Sequence, residues 1–206
     1  MRASANIVPL HQSQFSEKSP PRKPKNGDMR PREHLTDIEV ADLIKSAQRG
    51  RHGHRDGTLI LLMYRHGLRV SEAVVLRWDE IDLKSGLIQV RRAKKGLEGI
   101  HPLSGREIRH LRRLQRESGG KSPYVFVSER GTPMTTRNVR QILTKAGQTL
   151  PFPIHPHMLR HSCGYKLIND GIDVRTVQQY LGHASINSTV IYTKLDSRRF
   201  NGLWRD

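Results

Sequence analysis

The spacing of apolar side chains divides the chain into a helical frame with one interruption of a different period. "LTDIEVADLIKSAQRG" offers Thr36 as a helix N-cap with Glu39 three residues on, a pair whose side chains can each satisfy the other's free backbone N–H. Ile38, Ala41 and Ile44 then recur at helical spacing with Leu43 and Ala47 beside them, which predicts that this stripe faces inward. "GTLILLMYRHG" is apolar nearly all round, the pattern of a buried helix, with Gly67 as its C-terminal stop. "SEAVVLRW" predicts a short helix restarting at Ser71.

The period then shortens. "EIDLKSGLIQVRRAKKGLEGIHPL" reads as two or three short strands joined by turns at Ser85-Gly86 and at Lys95 to Gly99. "SGREIRHLRRLQRE" returns to helix, with Ser104 and Glu107 as a second capping pair and Ile108, Leu111 and Leu114 facing inward. "SPYVFVSERGTPMTTRNVRQILTKAG" predicts an extended segment, a Gly-Pro loop and another helix. Short helices follow in "HMLRHSCGYKLINDG", in "DVRTVQQYLGH" and around Tyr192. No repeat of solenoid spacing is present. The expected fold class is mainly α with a small antiparallel β-sheet (α+β). Residues 1–34 lack the pattern. They hold five of the eleven prolines, and seven basic residues outnumber three acids, so a disordered basic arm precedes a domain spanning 35–206.

Composition narrows the setting. At 206 residues the chain can bury a core without staples, and its single cysteine, Cys163, fits a reducing compartment. Neither an apolar run of membrane-spanning length nor a signal-peptide layout is visible, so a cytoplasmic protein is expected. The net charge of +17 draws polyanions, nucleic acid above all, with binding that weakens steeply in salt. An aromatic content of 5% argues against a single-strand binder that stacks bases.

Three basic segments could carry chemistry. In "HPHMLRHS", His157 and Arg160 share a helix face, and His157 and His161 stand at i and i+4. That spacing can hold zinc, but a third ligand is wanting and the intervening arginine would repel the ion, so no metal is expected. A His-plus-Arg face suits a phosphate, and a solvated basic face is the plain alternative. In "HGLRVSE", Arg69 follows the glycine stop, where it could meet Glu72 or an incoming phosphate. "RRAKKGLEGIHP" is a basic hairpin whose lysines could deliver a proton to a leaving alkoxide or be an ordinary solvated turn.

Taken in order, "HGLRVSE", "AKKG", "HPHMLRHSCGYKLINDGID", "QQYLGH" and "TVIYT" resemble the tyrosine recombinase (phage integrase) family over roughly residues 35 to 206, most closely its small fimbrial phase-switch invertases. The resemblance implies a helical catalytic domain with a small sheet and no metal or nucleotide cofactor. Tyr192 would be the nucleophile, Arg69 and Arg160 the clamp on the non-bridging oxygens of a DNA phosphate, and His183 a further hydrogen bond to it. His157 would serve acid-base chemistry, and Lys94 would protonate the departing 5′-oxygen. Counting back from Pro102 favours Lys94, whereas the usual Lys-Gly pairing at the turn favours Lys95. The implied activity is site-specific recombination through a 3′-phosphotyrosyl link, by a homo-tetramer on two sites of double-stranded DNA, in or near the nucleoid, with DNA-bending accessory proteins as possible helpers. An invertase at a genetic switch is the leading reading. An integrase or excisionase of a mobile element, a topoisomerase of similar chemistry, and a non-catalytic DNA-binding regulator are the alternatives. Leu203 and Trp204 stand out as docking residues near the C-terminus.

Overall fold

A computed structural model describes residues 32–92 and 98–193. The expected basic arm up to residue 31, Lys94 and Lys95 of the hairpin, and Leu203 and Trp204 lie outside the described residues. Packing begins slightly earlier than Leu35. Arg32 pairs with Glu39 at 2.7 Å and lies over the Phe152 ring, and His34 packs on Tyr165.

The first helix, α1 (Asp37–Gln48), opens with the expected reciprocal cap between Thr36 and Glu39. Its buried face is Val40, Leu43, Ile44 and Ala47. Ile38 is 75% exposed and Ala41 also faces solvent, so the inward stripe is rotated from the expected one. The neighbouring helix α2 (Gly53–Arg65) sets that orientation, because it is buried nearly all round and takes the Leu43 side of α1 into the core. Gly67 follows α2 at φ +58°, and the Leu68 N–H reaches back to the Met63 carbonyl at 3.1 Å, closing the helix end as expected. α3 (Val70–Val74) starts one residue before Ser71. Arg69, not Ser71, stands at its cap, because the Glu72 carboxylate accepts the Arg69 backbone N–H at 2.9 Å and fills the capping role itself.

A 3₁₀ turn (Trp78–Glu80) leads into three antiparallel strands in the order β1 (Ile81–Asp82), β2 (Leu87–Val90) and β3 (Gly99–Pro102). Ile88 pairs with Ile81 on one side and His101 on the other. Ile88 and Val90 point inward and Leu87 and Gln89 outward, the alternation of a sheet with one wet face. α4 (Gly105–Ser118) carries the second reciprocal cap, and Leu111 and Leu114 are buried with Ile108 half-buried. α5 (Thr136–Ala146) follows an irregular segment that bridges to Arg77 and closes on itself through Val127 and Pro133.

α6 (Pro156–Asn169), α7 (Val174–Leu181), α8 (Asn187–Val190) and a 3₁₀ turn (Ile191–Thr193) complete the described chain. A large core fills the space between α1, α2, the sheet, α4 and α5. A smaller one of Cys163, Tyr165, Ile168, Val177, Leu181 and Tyr192 lies between α6, α7 and the last turn. None of the described helices is long and apolar enough to cross a membrane.

Candidate active site

Two helix ends meet where α2 and α7 stop. A helix leaves its last carbonyls without partners, and here two arginines supply them. Arg160, from the first half of α6, donates to the Gly67 carbonyl at 2.6 Å and the Leu181 carbonyl at 2.5 Å. Arg92 donates to the carbonyls of His66 (3.0 Å), Gly67 (3.2 Å) and Tyr180 (2.5 Å). The Gly67 carbonyl thus serves both guanidinium groups. A side chain at Gly67 would meet Leu181 Cδ2 at 2.4 Å, so glycine is required there for its positive φ and for its lack of bulk.

Burial and crowding of like charge make this arrangement electrostatically tense. Arg160 is 1% exposed, and desolvation together with Arg69 and Arg92 lowers its pKa to about 10. Glu72 provides the compensation. Its buried carboxylate takes Arg69 Nη1 at 2.7 Å and Arg92 Nη1 at 3.1 Å. The expected local pairing of Arg69 with Glu72 is therefore present, yet about a third of the Arg69 side chain remains open to solvent. Arg69 is the guanidinium that an incoming anion would meet first.

The turn after α7 sets His183. Gly182 adopts φ +63°, and the His183 N–H closes back on the Gln178 carbonyl at 3.0 Å. The ring then packs inward, with Nδ1 2.8 Å from Thr189 Oγ1. If the threonine hydroxyl donates, the proton sits on Nε2, free for an acceptor. Burial and the nearby Arg160, Arg69 and Arg92 lower the His183 pKa to about 4, so the ring is neutral at physiological pH.

Tyr192 stands on the final 3₁₀ turn and is 2% exposed. Its ring lies flat against α6 where Gly164 leaves room; a Cβ there would be 2.4 to 2.7 Å from three ring carbons. It packs edge-on to Tyr165 at 5.0 Å and to His161 at 5.7 Å, and lies 6.3 Å from the His183 ring. Burial raises the phenol pKa, and Arg160 pulls against that rise.

Of the six expected residues, Arg69, Arg160, His183 and Tyr192 are electrically or physically in touch around the ends of α2 and α7. His157 is exposed at the start of α6, where it bears electrostatically on His183 and its ring meets that of His161 edge-on at 4.5 Å. His161 is half-buried, and desolvation with the neighbouring histidines and Arg160 lowers its pKa to about 3. Sequence reasoning missed Arg92. The signal was available in the alternation Ile88, Val90, Arg92, which runs the inward face of β2 one step past the strand. No group of three or more His, Cys, Asp or Glu side chains able to hold a metal occurs among the described residues.

Comparison with known proteins identifies the family and the fold. The family model described as phage integrase family matches residues 33–199. The type 1 fimbriae regulatory protein FimB of Escherichia coli K12 is 42% identical over 183 residues, covering 86% of this chain and 92% of FimB. The crystal structure of XerA recombinase superposes with a TM-score of 0.71 at 27% identity, over 86% of this chain and 63% of that one. XerH recombinase bound to its difH substrate shares the fold, with a TM-score of 0.68 at 23% identity. This chain spans 53% of XerH, so both solved relatives extend well beyond the matched region.

Proposed function

The chain belongs to the phage integrase family, and from that premise we propose that it is a site-specific tyrosine recombinase that cuts and rejoins double-stranded DNA. The observation that carries the reading is the grouping of Arg69, Arg160, His183 and Tyr192 around the two helix ends held by Arg160 and Arg92.

In this reading a DNA phosphate binds against Arg69 and Arg160, with His183 Nε2–H donating to a non-bridging oxygen. The guanidinium groups are already oriented by carbonyls, so little reorganisation is needed as charge builds on the phosphorus centre. Tyr192 Oη attacks phosphorus, and the P–O5′ bond breaks. The phenol proton passes to a base, which we assign as His157, edge-on to the His161 ring that packs on Tyr192, and a lysine gives a proton to the 5′-oxygen. The result is a 3′-phosphotyrosyl link and a free 5′-hydroxyl. Attack by a 5′-hydroxyl on that link reverses the step and releases Tyr192, so no energy-rich cofactor is consumed. We assign the lysine as Lys94, because the inward positions Ile88, Val90 and Arg92 share its parity and Lys95 does not. A substrate with sulfur in place of the 5′-bridging oxygen should restore cleavage by Lys94→Ala and leave Lys95→Ala unaffected, since a thiolate leaves without a proton.

Two recombination sites need four cutting protomers, so a homo-tetramer on DNA is the assembly we propose, with DNA-bending helpers where the sites must be brought together. The similarity to FimB favours inversion of a switch segment over integration or excision. The test denatures a mixture of the chain with DNA flanking its own gene and looks for protein on a 3′ end. The wild-type chain should yield an adduct and Tyr192→Phe none, at equal DNA binding. Tight binding with no tyrosine-dependent adduct would leave a DNA-binding regulator of the same fold.

A further inference from the structure

We propose that the outer face of α4 forms a second anion site, which binds backbone phosphates of the DNA away from the phosphate that is cut. The proposal rests on the recombinase reading only for the identity of its ligand. Between the end of α1, the start of α2 and α4 lies an open cavity of about 620 Å³. It is lined by Gln48, His54, Arg106, Arg109, His110 and Arg113, without a carboxylate. Arg106, Arg109, His110 and Arg113 fall at helical spacing on one face. Of the acids on α4, Glu107 is turned inward against His66 and Glu117 pairs with Arg113 at 2.7 Å. Among the described residues, Arg106 and Arg109 have no acidic partner.

The two histidines give the cavity a responsive floor. His54 and His110 stack at 5.2 Å, and His54 Nε2 donates to the His110 carbonyl at 3.0 Å. Thr58 donates its only hydroxyl proton to the His54 carbonyl at 2.7 Å, so the 3.3 Å contact from Thr58 Oγ1 to His110 Nδ1 is filled when His110 donates. That leaves His110 Nε2 to take a proton as an anion arrives. Burial, then His54, Arg106, Arg113 and Arg109, holds the His110 pKa below its ordinary value, which is how a site with unmet demand for negative charge behaves. Helical rise along α2 puts His54 roughly 20 Å from Gly67, too far to share the phosphate held by Arg69 and Arg160. A DNA backbone, with its regularly spaced phosphate charges, matches a row of arginines better than a compact anion does.

The test compares the wild-type chain with Arg106→Gln/Arg109→Gln, after thermal melting confirms that both are folded. The slope of log affinity against log salt on duplex DNA should fall by about 2 in the variant, because two phosphates are no longer neutralised. Adduct formation at saturating protein should not change, because the scissile phosphate is held elsewhere. An unchanged slope, together with no response of His110 to tripolyphosphate, overturns the site. A fall in saturated cleavage along with the slope also overturns it, since the arginines would then act on the reacting phosphate. In parallel, tripolyphosphate should raise the His110 pKa, followed by NMR, in the wild type and not in the variant. A response to tripolyphosphate without any change in the DNA slope would overturn DNA as the ligand. Failure of the wild type to form an adduct on any DNA would refute the recombinase reading while leaving the salt measurement intact.

Discussion

At one end of the candidate site Arg160 and Arg92 are bound to the carbonyls of two helix termini, and at the other Tyr192 is held by ring packing. The arginine end uses directed bonds between 2.5 and 3.2 Å within a buried, charge-compensated network. The tyrosine end rests on a four-residue helix and a three-residue turn, elements too short to be stable on their own, and on the space that Gly164 leaves. The difference assigns the two ends different parts of the work. Charge stabilisation has to be in place before the reaction, whereas the attacking group must be free to adjust to the phosphate. In the proposed mechanism the half of the site fixed by directed bonds is therefore the half that would meet the substrate's charge.

The comparison can be broken from either side. The largest effect should come from Arg160→Lys, which keeps the charge but loses the fork that spans Gly67 and Leu181. Cleavage at saturation should fall by about 10²- to 10³-fold in the adduct assay. Gly164→Ala strikes the other end, where the new methyl group occupies the place of the Tyr192 ring. It should lower stability by about 1–3 kcal/mol by thermal melting, and if the tyrosine is the adjustable part, its adduct should still form. A complete loss of cleavage with little change in melting would show instead that the tyrosine seat is as exacting as the arginine clamp. Thr189→Val removes the hydroxyl that fixes the His183 ring, and should cost about 1 kcal/mol, roughly fivefold in cleavage rate.

The smallest effect is expected from pH near neutrality. His183 at about 4 and His161 at about 3 both lie below the ordinary histidine value in the folded chain. The unfolded chain binds the extra protons first, so stability should hold above about pH 6.5 and fall as pH drops from there toward 4. Glu107 adds to the loss in stronger acid. Burial opposes its ionisation, but His66 and the Ser104 cap bring its pKa down to about 2, so its contribution, present above the ordinary carboxylate range, fades toward that value. Equilibrium unfolding between pH 4 and 8 checks the slope and its sign.

Much of this could be read along the chain. Thr36, Glu39, Ser104, Glu107 and Gly67 announce helix ends through local chemistry, and local chemistry decides helix ends. Motif order picked out Arg69, Arg160, His183 and Tyr192 as candidates, and the fold brings these four together. What escaped depends on partners far away in the chain. Ile38 fits a helical stripe as well as Val40 does, and only the placement of α2 selects between them. Arg92 looked like one more cation in a basic hairpin, yet three carbonyls from two helix ends draw it to the interior. His161 was noted for its spacing to His157, while its contact with Tyr192 needs the last turn to fold back on α6.

The shared carbonyl at Gly67 also bears on when the chain becomes active during synthesis. Its bond to Arg160 joins residues 93 apart, and the bond from Arg160 to Leu181 reaches a further 21 along the chain. Contacts of such long range close late, because loop-closure entropy opposes them until most of the chain is present. A nascent chain released before α7, or a proteolytic fragment ending there, would carry Arg69 and Arg160 but neither Leu181 to complete the clamp nor Tyr192 to attack. On the proposed assignment of Tyr192 as nucleophile, cleavage chemistry would be withheld until the last helices dock, and an unfinished chain would be unable to nick DNA.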